Sequence, residues 1–333
     1  MDILEILCAY QKNADPEAIL PMYQACALDA KAKGYGDANL LYIASRNAHP
    51  EAAAWLLEQG LKPNEASGYG ELPLFLLAKK DYPCGYLPRE GDVYRTAQVL
   101  LDGGGSVLRR DADGLLCYHH AARAGNREFL RALAERGVKL GKTDREGNTG
   151  LHYIALACRN PLEDLERVDR EIEEKRGEAS LPVKQRSPIS TEELERRKAA
   201  IQEKLEDLFR CAVILLEAGV DPEAENSMLE TAHTLAVRTG AKKLSVLLDG
   251  SYSPEEEDSP ESQTKIAAGG MTLHQAVRRG DEAAVRALAA MGEDLNAISE
   301  QETFEGLSPP GGGLPDLQRP HGRPAVGAGS GPL

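Results

Sequence analysis

Aromatic residues are few, 5% of the chain with a single tryptophan, so any core must be built from aliphatic side chains and alanine. No run approaches the ~20 consecutive apolar residues needed to cross a bilayer. The opening Met1-Asp2-Ile3-Leu4-Glu5 lacks the basic flank and long apolar centre of a secretory signal. These absences make a cytoplasmic protein with no membrane partner the default expectation. The cysteines Cys8, Cys26, Cys84, Cys117, Cys158 and Cys211 form no C-x-x-C pair and no cluster with metal-ligand spacing. That pattern predicts reduced, mostly buried thiols and no metal site. Basic residues are in deficit, 39 against 53 acidic, for a formal charge of -14, which disfavours nonspecific attraction to nucleic acid.

Catalytic signatures are missing as well. The chain has no G-x-S-x-G, H-E-x-x-H, phosphate-binding glycine loop or EF-hand pattern, and Gly103-Gly104-Gly105 lacks the following Lys-Ser/Thr and reads as a helix stop. No catalytic residue, cofactor or metal is expected.

What is present is self-similarity. Gly147-Asn148-Thr149-Gly150-Leu151-His152-Tyr153-Ile154-Ala155 and Met271-Thr272-Leu273-His274-Gln275-Ala276 share one pattern, and aligning on the histidine adds Tyr42, Phe75, His119 and His233. The intervals from Tyr42 to Phe75 and from His119 to His152 are both 33 residues. The longer intervals contain stretches that look inserted: Asp81 to Gly91, the charged stretch after Asn160, and Ser251 to Ala268. A second column supports the first, because an apolar run ends in glycine eighteen residues after the marker at Gly60, Gly137 and Gly292. Each unit reads as a short helix, a turn, a second helix stopped by a left-handed glycine, and a loop.

The motif and its 33-residue period resemble the ankyrin repeat family, over roughly residues 35 to 298. The resemblance implies an all-α, ankyrin-type helix-turn-helix repeat solenoid of about six repeats. Two repeats depart from the pattern, with Phe75 in the histidine column and Met228 where a loop glycine is usual. The resemblance also makes the column His119, His152, His233 and His274 structural, each ring bonding backbone of its turn and the neighbouring loop.

Residues 1–34 are expected to form an N-terminal helical cap, with Asp15-Pro16 starting a helix and Pro21 arguing against one unbroken second helix. Leu162, Leu165, Val168 and Ile172, then Leu194, Ile201, Leu205 and Leu208, recur at helical spacing. This predicts a helical hairpin insertion at about 161–207, with Ser190 as a cap. A linker is expected at about 251–268. Half of Gly306 to Leu333, fourteen of twenty-eight residues, is Gly or Pro, which predicts a disordered Gly/Pro-rich tail over 299–333.

The resemblance implies a scaffold or adaptor that recognises a protein partner with loop tips and the exposed end of each first helix. The two positions four and five after each marker read Arg46-Asn47, Lys79-Lys80, Arg123-Ala124, Leu156-Ala157, Val237-Arg238 and Arg278-Arg279. Seven of these twelve are basic and none is acidic, a stripe suited to a partner with an acidic or phosphorylated segment. The alternative is that cations gather there because a helix C-terminus favours them. Tyr35 and Tyr69 are aromatic anchors among the loop-tip residues, which also include Asp113, Arg145, Glu146 and Asn226. A rival reading is an enzyme whose site lies at the base of the insertion, and it predicts a deep pocket with converging polar groups.

Overall fold

The computed structural model describes residues 16–26, 39–82, 87–178, 189–251 and 260–291. Among these every regular element is a helix and none is a strand. Tyr35, residues 179–188 of the expected insertion and the expected tail lie outside the described residues.

The chain falls into two compact units that divide at Gly270. In the first, α1 (Pro16–Cys26) precedes paired helices α2 (Leu40–Arg46) and α3 (Pro50–Glu58), α4 (Pro73–Lys79) and α5 (Asp92–Asp102), and α6 (Cys117–Ala124) and α7 (Arg127–Glu135). Next come α8 (Gly150–Ala157), the long α9 (Arg159–Glu178) and α10 (Thr191–Glu217), the pair α11 (Ala232–Thr239) and α12 (Lys242–Leu248), and α13 (Pro260–Ala268). The second unit holds α14 (Leu273–Arg279) and α15 (Glu282–Ala290).

Local chemistry explains where these short helices begin and end. Asn39 accepts the backbone N–H of Tyr42, Asn126 that of Phe129, and Asp281 that of Ala284, satisfying donors that a first turn leaves without intrahelical partners. Pro50 and Pro73 open α3 and α4, where a missing N–H costs nothing. Gly125 and Gly240 close α6 and α11 with φ of 68° and 80°, a conformation that a side chain would strain.

None of these helices buries an apolar face alone. The first helices contact one another in the order α2, α4, α6, α8, α11, and the second helices in the order α3, α5, α7, α10, α12. One core runs between the two rows. Its alanines, among them Ala44, Ala53, Ala78, Ala97, Ala121, Ala155 and Ala236, are fully buried, so backbones approach closely and few aromatic rings are needed.

Between α8 and α10 the chain makes a long antiparallel excursion. Lys198 of α10 pairs with Asp169 of α9 at 2.8 Å, and Val168, Ile172 and Leu194 form a small core separate from the main one. Ser190 caps α10 by accepting the Glu193 N–H at 3.1 Å. Farther on, Leu208, Cys211, Ala212 and Leu215 of α10 enter the main core, so one helix serves both.

Three details differ from the sequence reading. Pro21 lies inside α1, which continues through it. The buried Tyr23 anchors this helix, its hydroxyl 3.0 Å from Nδ1 of His49, and so offsets the lost donor. Residues 260–268 of the expected linker form α13, which packs on α12. Thr272 caps α14 and puts Gln275 rather than His274 at its third position, and the fifth alignment is likewise displaced by one residue: Thr231 caps α11, which puts Thr234 rather than His233 at its third position. The left-handed loop residue there is correspondingly Leu229, not Met228.

Candidate protein-interaction surface

The third position of the first helix organises the turns at α6 and α8. At His119, Nδ1 accepts the Leu116 N–H at 3.1 Å and Nε2 donates to the Lys142 carbonyl at 2.9 Å. At His152, Nδ1 accepts from the Thr149 N–H at 3.2 Å and Nε2 donates to the Glu230 carbonyl at 3.0 Å. Both ring nitrogens of both residues are therefore engaged, with the proton on Nε2. Burial holds the His119 imidazole neutral, lowering its pKa to about 4, and lowers that of His152 as well. Tyr42 takes this place in α2 and reaches the next loop by donating to Oε2 of Glu71 at 2.8 Å. Phe75 is buried there and makes an edge contact with His120.

The loops are built alike. Ser67, Asp111, Asp144 and Asn226 each accept backbone N–H groups two and four residues onward. Asp111 also accepts from His120 at 2.7 Å and Asp144 from Tyr153 at 2.5 Å. Burial alone would raise the pKa of either carboxyl, but these bonds hold both below the usual carboxylate range. Asn226 is thus the residue that closes its loop rather than a loop tip. The tip itself carries Met228 and Leu229, 73% and 77% exposed.

Five of the expected binding residues lie at the ends of the first-helix row. Arg46, Lys79, Arg123 and Arg238 occupy the last turns of α2, α4, α6 and α11, and Lys80 follows α4 in the left-handed region with φ 54°. Arg278 and Arg279 end α14 in the second unit, and Tyr69 stands 66% exposed in the loop before α4.

Acidic residues have been drawn into this stripe. Arg46 pairs with Asp81 at 3.0 Å, Lys80 pairs with Asp207 at 2.8 Å, and Lys79 and Arg238 bond Glu71 and Glu230. A stripe that reads as uniformly positive in sequence is therefore largely compensated in space. A signal for two of these partners was present, since Glu71 precedes Lys79, and Glu230 precedes Arg238, by the same eight residues. Asp207 carried no such signal, because the insertion brings it in from far along the chain.

No family model matches the chain, and no curated protein matches it significantly.

A cleft of about 220 Å³ opens at the base of the α9–α10 excursion. It is lined by Cys158, Leu162, Gln202, Leu205, Glu206 and Phe209 together with Ala241, Lys242, Lys243 and Leu244. Its polar groups do not converge on the cavity, since Glu206 is paired with Lys243 at 3.0 Å and with Arg210 at 2.7 Å. Burial pushes the Cys158 thiol up to about 12, so it is not a thiolate at neutral pH. Among the described residues, no group of three or more His, Cys, Asp or Glu is placed to hold a metal ion.

Proposed function

We propose that this chain is an ankyrin-type repeat solenoid acting as a protein-interaction scaffold or adaptor, and that it binds a partner polypeptide along the ends of the first-helix row and the adjoining loop tips. The period of 33 residues, the third-position histidines His119 and His152 that tie their turns to the next loop, and the two rows of helices support the repeat reading.

The observation that carries the binding reading is the middle of the row, where Arg123 is exposed and Leu156 is 42% exposed on adjacent helices. Contacting helices that carry an exposed cation and a partly exposed leucine in their last turns suit a partner segment with an acidic or phosphorylated residue near an apolar one. Arg46, Lys79, Lys80 and Arg238 steer such a segment more weakly than their number suggests, because each already has a carboxylate.

The test is affinity capture with the intact chain beside Arg123→Glu and the Arg278→Glu, Arg279→Glu double variant. A partner retained by the first and lost from Arg123→Glu supports binding along the row. Equal retention by all three moves the interface elsewhere. The enzyme alternative has the cleft below the insertion as its one structural feature.

A further inference from the structure

The loops before α4, α6 and α8 turn on the left-handed glycines Gly70, Gly114 and Gly147. The loop before α11 turns instead on Leu229, with φ 58° and a side chain 77% exposed, next to Met228 at 73%. A leucine in this conformation strains the backbone and buries almost nothing in return, so the fold gains nothing from it. The tip is nevertheless held firmly. Asn226 accepts the N–H of Met228 at 2.9 Å and that of Glu230 at 3.1 Å, and its Nδ2 donates to Oδ1 of Asn148 at 3.0 Å. The Ser227 N–H donates to the Glu146 carbonyl at 2.8 Å. A tip fixed in this way loses little entropy when a partner covers it.

The same loop is acidic. From Val220 to Glu230 it carries Asp221, Glu223, Glu225 and Glu230 and no Lys or Arg. Glu230 bonds Arg238, but Asp221, Glu223 and Glu225 are exposed, and among the described residues none of the three is ion-paired. Arg145 of the preceding loop lies over Gly114, on the side away from Asn226. Among the described residues no acidic group is placed to hold a metal ion, so these carboxylates are open to cationic side chains.

We infer that the tip formed by Met228 and Leu229 docks a basic amphipathic segment of a partner polypeptide. The two apolar side chains enter the segment's apolar stripe, and Asp221, Glu223 and Glu225 meet the lysines or arginines beside it. Two exposed apolar groups gain only from an apolar contact, and methionine adapts to an irregular one. The carboxylates favour a cationic segment and repel an acidic one or an anionic lipid surface. This surface takes a charge opposite to the one that Arg123 attracts, so the inference does not rest on the reading of the row. It adds a second docking site, of opposite sign, to the same scaffold.

The experiment uses the full chain with 13C-labelled methionine methyls, five residues in all, and a Leu/Lys peptide of about 15 residues with its leucines at helical spacing. The Met228 signal is expected to shift while that of Met22, in α1, stays in place. The same peptide with glutamate for lysine, or with serine for leucine, is expected to bind about tenfold more weakly. Leu229→Gly should weaken the Leu/Lys peptide about tenfold while raising the melting temperature, so that the loss is not one of folding. Glu223→Lys with Glu225→Lys, both at exposed positions, should weaken it to a similar degree and flatten its salt dependence.

A stationary Met228 signal, equal binding of the glutamate or serine peptide, or an equal shift at Met22 overturns the docking tip. Full affinity in a folded Leu229→Gly variant overturns it too. The reading of the row fails separately, because Arg123→Glu leaves this loop untouched.

Discussion

Lys80 donates from Nζ to Oδ2 of Asp207 at 2.8 Å, across 127 residues of chain. The other carboxylate oxygen of Asp207 lies 3.5 Å from Nε of Arg127. One acid on α10 therefore ties the end of α4 and the start of α7 to the base of the inserted helices. Lys243 holds the neighbouring Glu206 from α12, so the long helix is gripped from both sides where it leaves the row.

Asp207→Ala is expected to cost about 1 kcal/mol in urea denaturation, and Lys80→Ala less than half of that, because the lysine is the more exposed partner. Lys80→Gly should cost still less than Lys80→Ala, since glycine relieves the left-handed backbone at this position. If both Lys80 variants prove more damaging than Asp207→Ala, the shared carboxylate is not what secures the base of the excursion.

Stability should fall as pH drops from 6.5 toward 4. The folded-state pKa values of His49 and His119 are lowered by burial to about 4 from 6.5, so across that window the unfolded chain takes up protons that the folded chain refuses. The contribution of the neutral rings is complete above 6.5 and is lost on the way down, to the order of 3 kcal/mol per ring. His119→Phe, which copies the residue present at Phe75, should flatten this slope. It should also lower stability at neutral pH by ~1–3 kcal/mol, through the orphaned Leu116 N–H and Lys142 carbonyl. Thermal melts between pH 4 and 8 measure both effects, and an unchanged slope would show that the ring is not held neutral.

Leu229→Gly should stabilise the protein by about 1 kcal/mol. The equivalent loop positions carry Gly70, Gly114 and Gly147 at positive φ, whereas Leu229 adopts φ 58° with a 77% exposed side chain. Glycine removes the strain and sacrifices almost no burial. A lower melting temperature for this variant would mean that the leucine makes a contact the geometry does not reveal.

The excursion should open independently of the main core. Among the described residues, Val168, Ile172 and Leu194 cluster with Ile189 and Ile201 apart from the main core, so Ile172→Ala with Leu194→Ala removes most of a small separate cluster, at ~2 kcal/mol or more per site if the gaps stay open. Hydrogen exchange is expected to accelerate in α9 and the first half of α10 while α4 to α7 keep their protection. Uniform acceleration over the whole first unit would instead make the excursion part of one cooperative core.

Much of the helix layout was legible from local signals. The spacing of Leu162, Val168 and Ile172 and of Leu194, Ile201 and Leu205 reflects the 3.6-residue period of helices that bury one face, and Ser190 is a cap whichever partner the helix meets. The fifth and sixth alignments were read one residue out of place because His233 and His274 looked like the marker. Only the bonds of Thr231 to its own first turn put Thr234 there. Pro21 misled for the opposite reason: a propensity argument ends a helix at proline, but the docking of Tyr23 on His49 outweighs one missing hydrogen bond.

The sequence by itself determined the all-helical character and the positions of most caps and glycine stops, because these depend on residues within a turn or two of one another. Tertiary structure alone decided the electrostatics of the stripe and the existence of the cleft. Asp207 and Asp81 are remote in sequence from Lys80 and Arg46, and a charge is compensated by whatever carboxylate lies within a few ångströms in space. The cleft, likewise, appears where the base of an insertion meets the turn between α11 and α12, and no local pattern encodes the gap between two surfaces that meet only after folding.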